Sequence, residues 1–248
     1  RQLRKSPSFA VTAILVLALG IGANAAMFAV LHAVLLRPLP YAAVSRLAVL
    51  KIFDKQKHPL FGATYPDIAE WQKRSRTLSD IAYETDSHQF FEDAGSGEQI
   101  ANVQSSASLF GVLGAQPQLG RTYSVAEQTP GAEHVAVLSD ALWSKYFHRD
   151  AKALGQTIKL DDQLYTVIGV MPKTFSYPLS DARGGVWATD PQVWTPVPVT
   201  PEMALRNRLN TNYETIVRLN PGISLAAAQM ELNNLQQGIA REYPADYF

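Results

Sequence analysis

Hydrophobic and polar positions divide this chain unevenly. Residues 9–36, FAVTAILVLALGIGANAAMFAVLHAVLL, contain no Asp, Glu, Lys or Arg. Fourteen of these 28 residues are Leu, Ile, Val or Phe, and no charged stripe interrupts them. As a helix rising about 1.5 Å per residue the stretch reaches roughly 42 Å, against a bilayer hydrocarbon core of roughly 30 Å. At about −0.3 to −0.6 kcal/mol each, the large apolar residues favour insertion by roughly 4 to 8 kcal/mol, which Asn24 and His32 offset in part. The pattern predicts a transmembrane helix over 9–36. Ser6-Pro7-Ser8 supplies a helix start, and Pro38 and Pro40 stop it.

Beyond residue 40 the period changes to short alternating runs. Residues 46–53 read as a strand, and Thr64-Tyr65-Pro66-Asp67 opens a helix with Ile68, Trp71 and Leu78 as apolar positions. Residues 81–83 and 89–92 are short strands, and 98–105 alternates as another. A short helix over 108–113 ends at Gly114, and 119–122 is a turn. Residues 134–138 form an apolar strand, after which Ser139 caps a helix through Leu142, Trp143, Tyr146 and Phe147. A hairpin joins 157–161 to 164–170 around Asp162-Gln163. Residues 193–195 and 213–219 are further strands. Ser224 then caps a final amphipathic helix to Glu242, with Leu225, Ala228, Met230, Leu232, Leu235 and Ile239 on its face. Short strands interleaved with short helices predict an α+β domain, and no fixed-period repeat is visible.

Charge orients the apolar segment. Arg1, Arg4 and Lys5 precede it and only Arg37 follows closely, so the positive-inside rule puts residues 1–8 in the cytoplasm and the bulk of the chain outside. The basic start with Ala23-Asn24-Ala25 also suits a signal peptide cleaved near Ala25, but hydrophobicity continues to Leu36 where polar mature sequence should begin. A buried helix of a soluble core is a further alternative, although such helices usually carry a polar stripe. Ala18, Gly22 and Ala26, with Gly20 and Asn24, have the small-residue spacing that lets a second membrane helix pack closely. The chain opens on Arg1 and closes on Tyr247-Phe248, which suggests an excerpt of a longer protein.

The remaining composition excludes more than it identifies. The 22 basic and 22 acidic residues give zero net charge, so no basic excess points to nucleic acid. Without cysteine there is no disulfide framework and no thiolate metal site. His32, His58, His88, His134 and His148 show no i, i+4 pair and no HExxH, which argues against zinc. Asp161-Asp162 reads as a solvated hairpin tip, and Ser139-Asp140 as a helix cap without the surroundings of a nucleophile. Residues 114–122 look faintly like a phosphate loop, but the glycine spacing is wrong and Arg121 stands where lysine is needed. No ATP site, catalytic set, metal or cofactor is expected. Trp71, Trp143, Trp187 and Trp194 read as packing residues.

Taken together, several stretches resemble the membrane subunits of the MacB-type ABC transporter superfamily, within it the acidobacterial-type orphan permeases. They are residues 3–41, TYPDIAEWQKRSRTLSDIA at 64–82, SSASLFGVLGAQPQLGRTY at 105–123 and VAVLSDALWSKYF at 135–147. LGQTIKLDDQLYTVIGVMP at 154–172, VWTPV at 193–197 and RLNPGISLAAAQMELNNL at 218–235 complete the set. The resemblance implies a first transmembrane helix followed by a MacB-like periplasmic core domain over 41–248. A porter-like lobe would take about 45–85 and 205–248, and an inserted β-rich lobe about 86–204. It implies a permease subunit in the plasma (inner) membrane with the lipid bilayer, a cytoplasmic ABC ATPase, a second permease copy and a periplasmic adaptor as partners. The transported class would be drugs, peptides or lipoproteins. The alternatives are a single-span membrane-anchored binding or sensor domain, and a secreted hydrolase that would need the cleavage near Ala25.

Overall fold

A computed structural model describes residues 7–31, 41–53, 62–93, 96–175, 177, 191–205 and 212–244. The chain divides into two compact units, Arg1–Leu39 and Pro40–Phe248.

The described residues of the first unit form one helix, α1 (Pro7–Leu31). Its side chains are described at 11–12 and 15–28, and all of these are exposed. Asn24 and Thr12 are its only polar groups beyond the opening Pro-Ser, so the helix is apolar on every side. Among the described residues no helix is long and apolar enough to cross a membrane. The unbroken run 15–28 spans about 21 Å, short of the roughly 30 Å hydrocarbon core. The rest of the expected span, 32–36, lies outside the described residues, as do Arg1, Arg4, Lys5 and Arg37.

The second unit is built on one mixed sheet. Its strands are β1 (Leu47–Leu50), β2 (Leu78–Asp93), β3 (Ser96–Ser105), β4 (Leu119–Gly120), β5 (Val135–Leu138), β6 (Thr157–Leu160), β7 (Gln163–Val170), β8 (Val193–Pro196) and β9 (Glu214–Leu219). They lie in the order β1-β9-β2-β3-β8-β5-β7-β4, and β6 bridges β2 and β7. The helices are α2 (Tyr65–Arg74), α3 (Leu109–Leu113), α4 (Asp140–Phe147), α5 (Pro201–Leu205) and α6 (Leu225–Glu242). The α+β class expected from the sequence is the class observed.

Strand alternation sorts the apolar residues into separate cores, because successive side chains face opposite sides. On β2, Ile81 and Tyr83 join one core while Ala82 joins another, and on β9 Val217 and Leu219 part from Ile216 in the same way. The first of these cores lies under α2 and α6, with Ile68, Trp71, Ala228, Leu232 and Ile239. The opposite face holds α3 with Leu109, Phe110 and Leu113, and reaches Val135, Val137 and Trp194. A third core collects Ala136, Leu138, Leu142, Val167 and Val170 beneath α4.

Several expected boundaries move. The two short strands at 81–83 and 89–92 are parts of the single 16-residue β2, which pairs with β9 at one end, β3 at the other, and β6 near its tip. Polar residues 84–89 conceal this continuity, because their pairing with β3 is a backbone ladder that needs no apolar run. The expected turn at 119–122 includes the two-residue strand β4, paired with Gly169 and Val170. The hairpin turns at Asp161-Asp162, one residue earlier than expected, since Leu160 pairs with Gln163. Asp161 is also more than a solvated tip residue. Its Oδ1 accepts the Phe90 N–H at 2.8 Å, and its own N–H donates to the Phe90 carbonyl at 2.8 Å. On α6 the buried face is Ala228, Leu232 and Ile239, at 4- and 7-residue steps. Leu225 and Met230 are exposed, since Met230 stands about 200° around the helix from Ala228.

The glycines of 114–122 cap and cross the backbone. Gly114 (φ 65°) ends α3 in the left-handed region, and Gly120 (φ 72°) meets β7, where a Cβ would strike the Ile168 carbonyl. Arg121 pairs with Glu127 at 2.6 Å.

One carboxylate fastens α6 to the loop after α2. Glu231 Oε1 accepts the Arg76 N–H at 2.9 Å, and its Oε2 accepts the Ser75 hydroxyl at 2.7 Å, the Thr77 N–H at 3.0 Å and the Thr77 hydroxyl. Burial pushes its carboxyl up, but these donors outweigh that and hold it down at about 2. A depressed folded value means stability that is present above the unfolded carboxylate pKa and lost as pH falls toward the folded one. Glu231→Gln should cost about 1–2 kcal/mol at pH 7, allowing for solvent screening. The difference from the parent should shrink between about pH 5 and pH 2, as denaturation at several pH values will show. A deficit unchanged at pH 2 would mean the charge is not what fastens the loop.

Candidate functional site

A cleft of about 770 Å³ opens on the Pro40–Phe248 unit. Its walls follow from local sequence. Thr64 caps α2 by accepting the Asp67 N–H at 3.2 Å, and Pro66 sits in the first turn, which places Tyr65 at the helix mouth. On β2, Asp80 and Tyr83 reach the cleft. Tyr83 is buried, and its ring meets Tyr65 edge-on at 5.6 Å and Tyr213 at 5.5 Å.

The facing wall is the corner between β3 and α3, stapled to β2 by hydroxyls. Ser108 donates to the Ile81 carbonyl at 2.7 Å, Ser106 accepts the Tyr83 N–H at 3.1 Å, and the two hydroxyls meet at 2.8 Å. The third wall is the 3₁₀ turn Val125–Gln128, started by a capping box. There Glu127 accepts the Ser124 N–H at 2.8 Å and hydroxyl at 2.6 Å. Burial pushes the Glu127 carboxyl up, but Ser124 and Arg121 hold it down at about 2.

Gln128 locks these walls together. It is buried, and its Oε1 accepts the Ala107 N–H at 2.8 Å while its Nε2 donates to the Val197 carbonyl at 3.0 Å and the Tyr83 hydroxyl at 3.3 Å. Burial drives the Tyr83 hydroxyl pKa well above its usual value. Asp80 is exposed and accepts the Ile81 N–H at 2.8 Å. Asp80 is the one carboxylate among the residues that line the cleft.

The residues expected to matter in the membrane lie elsewhere. Ala18, Gly20, Gly22, Asn24 and Ala26 all fall on α1 and all are exposed. Helical geometry divides them: Ala18, Gly22 and Ala26 share one face, while Gly20 and Asn24 lie about 200° and 240° round from Ala18. One partner helix therefore meets the first three or the last two. Ser139 does cap α4, accepting the Leu142 N–H at 3.1 Å, and Asp140 pairs with Arg149 at 2.6 Å. His134 stacks edge-on against Tyr165 at 5.4 Å. His32, His58 and Trp187 lie outside the described residues, Trp71 and Trp194 are buried and Trp143 half-buried. Among the described residues no group of three His, Asp or Glu stands close enough to hold a metal ion.

Sequence reading missed Tyr65, Asp80, Tyr83 and Gln128 as a group. Tyr83 two residues after Ile81 signalled an inward face, but only the chain crossing from β3 to the 124–130 turn brings Gln128 to it.

The model of the MacB-like periplasmic core domain matches residues 10–235. Three solved structures share the fold. The periplasmic region of MacB from Actinobacillus actinomycetemcomitans is 13% identical, with a TM-score of 0.56 over 79% of this chain and 84% of that one. A domain of a putative permease protein from Porphyromonas gingivalis is 16% identical, with a TM-score of 0.58 over 79% and 82%. The extracellular domain of the noncanonic ABC-type transporter YknZ from Gram-positive bacteria is 15% identical, with a TM-score of 0.50 over 76% and 93%. No curated protein matches the chain. With the family match running from α1 to α6, this chain belongs to the MacB-like periplasmic core domain family.

Proposed function

We propose that the chain is the first membrane helix and outer domain of a permease subunit in an ABC-type export system, and that it works mechanically. The match over 10–235 carries this reading, because it joins an apolar helix to a permease's outer domain in one family unit. In this reading residues 9–36 cross the plasma (inner) membrane, with Arg1, Arg4 and Lys5 in the cytoplasm. A helix apolar on every side finds cover in a bilayer, which supports the assignment.

A cytoplasmic ABC ATPase supplies the energy, and the subunit itself is not an enzyme. A second permease copy packs through one small-residue face of α1, and a periplasmic adaptor docks outside. The cargo class is drugs, peptides or lipoproteins. For transmission, β2 is a suitable strut: its 16 residues extend about 50 Å at roughly 3.3 Å each. It would join a porter-like lobe, about 45–85 and 205–248, to an inserted lobe, about 86–204, since the division falls within this strand. Movement of one end then has to move the other.

The full-length protein should co-purify from native membranes with an ABC ATPase, identified by mass spectrometry. Recovery of the permease in active form with no ATPase attached, and none needed for its activity, would end this reading.

A further inference from the structure

We propose that Arg218 is the positioning residue that passes movement of the chain entering the sheet domain to α3 and β9. This role rests on the export reading above. Residues 41–53 are the first described after α1, so a pull along the chain reaches the domain at Tyr41. The strand that follows, β1, has four residues and is paired with β9. A short strand pulled at its end loses its ladder one bond at a time, so β1 alone is a weak attachment.

Arg218 bypasses that weak point. It lies on β9 opposite Leu47, and its planar fork reaches two separate pieces of backbone. Nη1 donates to the Ala42 carbonyl at 2.9 Å, ahead of β1, and Nε donates to the Val112 carbonyl at 2.7 Å, in the last turn of α3. Burial and neighbouring Arg46 lower the Arg218 pKa, and among the described residues no carboxylate raises it. Asp80, opposite it on β2, accepts the Ile81 N–H instead. The guanidinium is therefore a tie between backbone segments rather than half of an ion pair. Its surroundings hold the same junction. Tyr41 is buried in one core with Phe110, Val112 and Leu113, and Arg46 Nε donates to the Leu219 carbonyl at 2.8 Å. A Cβ on Gly114 would lie 3.1 Å from that of Ala42.

That last distance lets the tie be replaced. The chain has no cysteine, and a disulfide spans roughly 3.5–4.5 Å between Cβ atoms, a few tenths more than the gap. Hydrogen exchange, read by mass spectrometry on the full-length permease with its co-purified ATPase, compares the nucleotide-free and vanadate-trapped states. In the parent, trapping should change exchange by about twofold or more both at 41–46 and at 109–115. Arg218→Met should keep the change at 41–46 and lose it at 109–115. Adding Ala42→Cys and Gly114→Cys to that variant should restore the change when oxidised and lose it again on reduction. Arg218→Lys, which keeps the charge but not the fork, should fall between and serves if the methionine variant does not fold. An undiminished change at 109–115 in both Arg218 variants, or none there with the disulfide closed, would overturn the proposal. A parent in which trapping alters neither segment would overturn the transporter reading itself, and this role with it.

Discussion

Trp194→Ala should destabilise the sheet domain by about 3–5 kcal/mol, the largest single effect expected in this chain. Trp194 is 2% exposed and sits on β8, where it pairs with Val103 of β3 and with Val137 of β5. Its ring contacts Phe175 at 5.4 Å, Phe110 at 6.2 Å and Tyr177 at 6.4 Å. Truncation would open a cavity where β3 and β5 are joined through a four-residue strand, which leaves little to close round it. Against a domain stability of about 5–15 kcal/mol the loss is large, and the thermal midpoint should fall by about 10 °C. Its indole N–H has no hydrogen-bond partner among the described residues, so Trp194→Phe should cost much less. Circular dichroism through a thermal transition measures both. A loss below about 1 kcal/mol for the alanine variant would mean that the centre of the sheet is not held by this ring.

Ala29→Pro should abolish export while the protein stays in the membrane. Residue 29 is helical, two residues from the end of α1. Proline there removes one i to i−4 hydrogen bond and sets its ring against the carbonyl of Ala25, a cost of about 3 kcal/mol or more in a helix interior. The apolar content of the segment barely changes, so insertion should persist. If α1 transmits motion, a kink at this depth absorbs it. Membrane fractionation and export measured on the same cells separate the two outcomes, and export at the parental rate would reduce α1 to an anchor.

Local chemistry was legible in the sequence wherever a few neighbouring residues decide the structure. Thr64, Ser139 and Ser224 each cap the helix expected after them, because a side-chain oxygen three residues before a free N–H needs no distant partner. The α+β class followed from the change of period beyond residue 40. What stayed hidden depends on partners far along the chain. The length of β2 could not be read, since its polar middle is held by pairing with β3 rather than by its own alternation. Glu84 lies opposite Glu214 across β2 and β9 with both buried, a placement that no local pattern announces. The cleft is of the same kind: Asp80 and Gln128 are 48 positions apart and line it together beside the corner that Ser106 and Ser108 staple to β2. In contrast, the small residues of α1 were visible as a spacing, but only the helix geometry splits them into two faces.

The central claim is that the outer domain does work supplied from the cytoplasm. Its most direct test is export by cells carrying the full-length permease with its co-purifying ATPase intact or inactivated at the catalytic carboxylate. Export should fall to the level of cells without the permease when ATP hydrolysis is blocked, although the permease remains assembled in the membrane. Export that continues at the parental rate with the ATPase inactive would contradict the account.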